Sequence, residues 1–122
     1  MNQASRFLAL AAALLVGGPV AHATIIQYRA VLTGADESPA NASPGTGFAS
    51  VVTDDVANTM EVHVTFSGLL GVTTASHIHC CTAFPLTGIA GVATTTPSFA
   101  GFPLGVTAGT YEALLDMTLA SS

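Results

Sequence analysis

Residues 60–67 read Met60-Glu61-Val62-His63-Val64-Thr65-Phe66-Ser67, and apolar and polar side chains alternate along the whole stretch. On an extended chain Met60, Val62, Val64 and Phe66 share one side, while Glu61, His63, Thr65 and Ser67 share the other. A period of two predicts a β-strand with one buried and one wet face, the signature of an antiparallel sheet. Upstream, residues 54–58 (DDVAN) are turn chemistry, and residues 48–53 (FASVVT) before them form a second strand. Residues 25–32 (IIQYRAVL) offer Ile26, Tyr28, Ala30 and Leu32 to a core and turn Gln27 and Arg29 away. Residues 35–47, rich in Pro, Ser, Asn and Gly, connect these two as a surface loop.

Downstream, a glycine-bounded turn at 68–71 leads into residues 73–80 (TTASHIHC), which fit a fourth strand with His77 and His79 on one face and Ile78 on the other. Residues 89–95 (IAGVATT) fit a fifth. Residues 97–109 carry Pro97, Gly101, Pro103, Gly105 and Gly109 and predict a long loop. In residues 111–119 (YEALLDMTL) the residue types favour helix, yet Tyr111, Ala113, Leu115, Met117 and Leu119 alternate, and the all-β context decides for strand. Short strands separated by turns predict an all-β fold, an antiparallel Greek-key sandwich or barrel.

Composition narrows the function. Of 122 residues only 7% are charged, with Lys+Arg 2 against Asp+Glu 7 and a net charge of −5, where an average soluble domain has roughly 25% charged residues. Arg6 and Arg29 cannot build a basic surface, which sets aside nucleic acid and anionic membranes as partners. A hydrophobic fraction of 50% and a mean hydropathy of +0.62, with 12 Gly and 6 Pro, describe one small domain with many turns rather than a disordered chain.

The amino terminus reads as a secretory leader. Arg6 precedes an apolar run at residues 7–16 (FLALAAALLV), Gly17, Gly18 and Pro19 break it, and Ala21-His22-Ala23 is an A-x-A cleavage signature. The run is shorter than the ~20 apolar residues of a membrane span. The expected organisation is therefore a signal peptide over 1–23 and a β domain over 24–122, without a membrane span once the leader is removed. Such a domain meets an oxidising compartment, whether periplasmic, cell-surface or secreted.

Several segments in order resemble the chordin-type domain, CHRD: Leu32-Thr33-Gly34-Ala35-Asp36-Glu37-Ser38-Pro39, then Gly45-Thr46-Gly47-Phe48-Ala49, then Val64-Thr65-Phe66-Ser67-Gly68-Leu69 and Ala75-Ser76-His77-Ile78-His79. The likeness runs over most of residues 28–119. It implies an all-β extracellular module without an enzymatic activity. Family members usually follow the HIH with a loop containing Gly-Pro, whereas Cys80-Cys81-Thr82 stand here. Their pattern also continues past the last strand into a closing strand, so the resemblance implies a domain incomplete at its carboxy-terminal end, with an open edge strand available for self-association.

Two constellations could carry chemistry. His77-x-His79 sets two imidazoles about 7 Å apart along one strand face, a spacing at which both can ligate one copper or zinc ion, with His63 as a candidate third ligand. The HIH element also resembles the copper-binding strand of Cu/Zn superoxide dismutase, though the remaining ligands and active-site Arg of that enzyme have no counterparts here. The alternative is two histidines that bond loop carbonyls and hold the next turn. Cys80 and Cys81 can close a vicinal disulfide, join the histidines as thiolates around a soft metal, or pair with another chain. Asp36-Glu37 and Asp54-Asp55 fall in turns, where carboxylates cap amides, and no Gly-x-Ser-x-Gly or phosphate-binding loop is present.

The expectation is a non-catalytic β module that requires no cofactor. It would bind an extracellular protein or polysaccharide, or serve a structural role at the cell envelope. The alternative is a copper- or zinc-binding β domain with a redox or storage role.

Overall fold

The computed structural model describes residues 22–84 and 87–119. All of the expected leader except His22 and Ala23 lies outside that range. Four strands form one open antiparallel sheet: β1 (Ile25–Thr33), β2 (Thr46–Asp54), β3 (Thr59–Ser67) and β4 (Gly109–Asp116), in the spatial order β1-β2-β3-β4. The only helical turn among the described residues is a 3₁₀ turn at Gly34–Asp36. The all-β, antiparallel class is the expected one; the strands follow one another as a meander and the sheet does not close.

Pairing preserves the alternation of residues 60–67 across the sheet. Val62 lies opposite Val51 on β2 and Ala113 on β4, and Val51 in turn lies opposite Tyr28 on β1. One inner face therefore runs from Tyr28 through Val51 and Val62 to Ala113. The β2–β3 hairpin turns where Asp54 Oδ1 accepts the backbone N–H groups of Val56 at 2.9 Å and Ala57 at 2.8 Å, and Asn58 takes a positive φ of 52°, which an Asn tolerates better than most residues.

The connection from β3 to β4, residues 68–108, folds back over the inner face and supplies the second layer. Phe99 and the sheet residues Met60, Val62 and Tyr111 are buried, with Ile78 and Phe102 packed beside them. Phe102 stacks on Phe66 at 5.7 Å and lies 5.3 Å from the Tyr111 ring. A hydrophobic face of a sheet must be covered, and here irregular chain covers it.

This corrects two expected strands. Residues 73–80 and 89–95 contribute only isolated bridges, Ser76 with Ser98 and His79 with Val92. The reason is visible in the hydroxyl side chains. The Ile78 N–H donates to Thr94 Oγ1 at 2.9 Å, and the Ser76 N–H is shared between Ser98 Oγ at 3.0 Å and the Pro97 carbonyl at 3.1 Å, so hydroxyls interrupt the run of carbonyl acceptors that a continuous ladder needs. The last strand begins earlier than expected, because Gly109 pairs with Phe66, and ends at Asp116 rather than Leu119. There the Asp116 carboxylate accepts from both the backbone N–H and the hydroxyl of Thr118 and turns the chain.

Candidate functional site

The covering layer is uneven. It seals the β3–β4 half of the inner face and leaves the β1 half open, so that Ile26 and Tyr28 point inward by register yet remain 43% and 54% exposed. The result is an apolar groove of about 440 Å³ between the sheet and residues 78–80 and 93–94. Its floor is Tyr28, Val51 and Met60, and its wall is Ile78, His79 and Cys80. Among the described residues no carboxylate lines the groove.

The wall is held by its own backbone bonds. The Cys80 N–H donates to the Gly91 carbonyl at 3.1 Å and the Ala93 N–H to the Ile78 carbonyl at 2.9 Å, on either side of the His79–Val92 bridge. This clamp fixes the short HIH segment against residues 91–93 and drives Ile78 toward the core. Cys80 and Cys81 are joined as a vicinal disulfide in an exposed stretch of the chain.

His77 and His79 do come together, with ring centroids 4.8 Å apart in an edge-on arrangement. His79 Nδ1 lies 2.8 Å from the Ala90 carbonyl; as the carbonyl can only accept, Nδ1 donates, and in the neutral ring the lone pair is left on Nε2. His77 Nδ1 is buried and has no hydrogen-bond partner. His63 does not join them. It stands on the outer face of β3, where its Nε2 lies 3.1 Å from Glu112 Oε1 on β4, and the covering layer lies over the opposite face. The alternation that made residues 60–67 legible as a strand is what separates His63 from the pair. Among the described residues no three His, Cys, Asp or Glu side chains gather as a metal-ligating group.

Sequence reasoning found the histidines and cysteines but missed the groove. Its signal was present in residues 25–32, where Ile25, Ile26, Tyr28 and Val31 supply apolar side chains to both faces of one strand, more than a half-covered edge can bury. Among the described residues no helix is long and apolar enough to cross a membrane. In comparisons with known proteins, the family model for the CHRD domain matches residues 28–119. No curated protein and no solved structure gives a match.

Proposed function

Because the chain belongs to the CHRD domain family, whose members occur in extracellular proteins, we propose that it is an exported, non-catalytic binding module. Its partner is an extracellular protein, and the apolar groove beside β1 is the contact. The observation that carries this reading is the exposure of Tyr28 and Ile26 on the face that elsewhere forms the core. Apolar surface gathered into a concavity and rimmed by polar groups is what protein contacts use. Met117 in the lining, 44% exposed, adds a side chain that reshapes to fit an irregular partner. A polysaccharide is the weaker fit, since sugar rings stack on aromatic faces and, among the described residues, Tyr28 is the one Phe, Tyr or Trp side chain lining the groove. Export through cleavage after Ala23 belongs to the same proposal, and amino-terminal sequencing of the exported chain reads it directly.

The test is Tyr28→Asp in the chain as exported. Wild-type protein in fresh extracellular fractions elutes in complexes heavier than two copies of itself, and Tyr28→Asp elutes free with an unchanged circular dichroism spectrum. Equal elution of the two proteins overturns the reading.

A second reading is supported by the unpartnered Nδ1 of His77. A copper or zinc ion would be held by that nitrogen and His79 Nε2. Two metal–nitrogen bonds of about 2 Å, meeting near the tetrahedral angle, suit rings at this separation. The Ala90 carbonyl would orient His79, as second partners of ligating imidazoles commonly do. Further ligands would come from solvent.

A further inference from the structure

The sheet has two outer edges, and they differ in charge. On β4, Glu112 and Asp116 place carboxylates along the edge strand, and a second acidic chain is repelled there. On β1, residues 25–33 hold no carboxylate, and Arg29 is the only charged side chain. The same strand exposes apolar side chains on both faces, Ile25 at 65% and Val31 at 68% outward and Tyr28 at 54% inward. An edge of this length that pairs with no further strand among the described residues, with apolar flanks and no repelling charge, is a template for another strand.

We propose that the chain dimerises by pairing β1 with β1 of a second copy, antiparallel and centred on Tyr28. Self-pairing is isologous, so the two-fold axis selects the register. An axis through a residue position keeps inner face beside inner face, and the registers near mid-strand are those centred on Gln27, Tyr28, Arg29 or Ala30; an axis at Ala30 sets Arg29 opposite Val31, with no polar partner. Centring on Arg29 sets guanidinium against guanidinium, a repulsive cross-strand pair. With the axis at Gln27, Arg29 faces Ile25 and has no polar partner across the strand. The Tyr28 register instead places Arg29 opposite Gln27, Ile25 opposite Val31 and Ile26 opposite Ala30. The first of these pairs is chemically matched already, since Arg29 Nη2 donates to Gln27 Oε1 at 3.0 Å within one chain. The other two cover apolar side chains that a lone copy leaves in water. Paired in this way, the four-stranded sheets become one continuous sheet, and the two grooves meet side by side at their Tyr28 floors. The dimer stands independently of the groove's role, because it rests on the strand edge and not on the groove's occupant.

The test is cross-linking by register. The full chain is expressed with its leader and purified from the exported fraction as Gln27→Cys, Arg29→Cys and an equimolar mixture of the two, then oxidised mildly. Both positions lie on the outer face, away from Cys80 and Cys81. Directly opposite residues have Cβ atoms about 4.5–5.5 Å apart, close to disulfide reach, while diagonal ones are too far. The expected result is a covalent dimer in the mixture at several-fold the yield of either variant alone, and loss of the non-covalent dimer mass in Val31→Lys by sedimentation velocity. Ile25→Lys repeats that readout should Val31→Lys lose its fold by circular dichroism. A monomeric wild type, a dimer that survives both lysines, or cross-linking strongest in either single variant overturns the proposal.

Discussion

The phenol of Tyr111 on β4 donates its hydrogen to the carbonyl of Ala100 at 3.2 Å, tying the last strand to the chain that covers it. The ring is buried against Phe99 and Phe102, and burial raises the Tyr111 pKa above the ordinary value of 10.0. In Tyr111→Phe the carbonyl loses its partner, and urea denaturation near neutral pH should show a loss of about 1 kcal/mol. The pH dependence has the opposite sense. A folded state that disfavours tyrosinate loses stability once pH rises past the unfolded pKa of about 10. Wild type therefore weakens in that alkaline range, and Tyr111→Phe weakens less.

Val62 is the most deeply buried large side chain among the described residues, at 1% exposure, between Val51 and Ala113 in the pairing. Val62→Ala removes two methyl groups from a small core and should cost about 2 kcal/mol in chemical denaturation. Leu114→Ala, at an outward position that is 71% exposed, should change stability by less than about 0.5 kcal/mol. Similar losses in both would show that the inner face is misassigned.

Asp116 ends β4 with a carboxylate that accepts from the hydroxyl and the backbone N–H of Thr118, and these bonds lower its pKa below the ordinary value of 3.8. A depressed carboxyl contributes stability above its unfolded pKa and loses it as pH falls through the folded one. Nuclear magnetic resonance titration should place the Asp116 midpoint below the ordinary carboxylate range in wild type. In Thr118→Ala, which removes the hydroxyl bond that contributes most, the midpoint should move back up.

If His77 and His79 hold a metal, protein purified after export carries copper or zinc in stoichiometric amount. A double substitution of both histidines to Ala then loses the metal while keeping its circular dichroism spectrum. Metal content should also fall on acidification, since only the neutral imidazole offers a lone pair. Metal-free protein that binds neither ion on titration would leave the histidines as structural groups of the groove wall.

The sheet was legible in the sequence because its signals are local. Alternation in residues 60–67 fixed β3 within a residue of its bounds, and the DDVAN turn fixed the hairpin to β2. The covering layer was not, because residues 73–80 and 89–95 have strand-like composition but pair only at isolated bridges, with the Thr94 and Ser98 hydroxyls accepting from the Ile78 and Ser76 N–H groups, an arrangement set by tertiary contacts. His77 and His79 were legible as a pair for the same reason as β3, and the placement of His63 across the sheet follows from that alternation. The groove is a property of coverage. It depends on how far residues 68–108 reach over the sheet, which local sequence does not encode.

The most direct measurement of the binding reading is photocross-linking in the cell that exports the protein, with a benzophenone amino acid at position 28 in the groove and, in a separate variant, at position 61 on the outer face. The account predicts adducts between position 28 and an extracellular protein other than this chain, identified by mass spectrometry and depleted by excess unlabelled wild type. Position 61 should give none. Adducts of equal yield from both positions, or adducts from position 28 made only with a second copy of the chain, would contradict it.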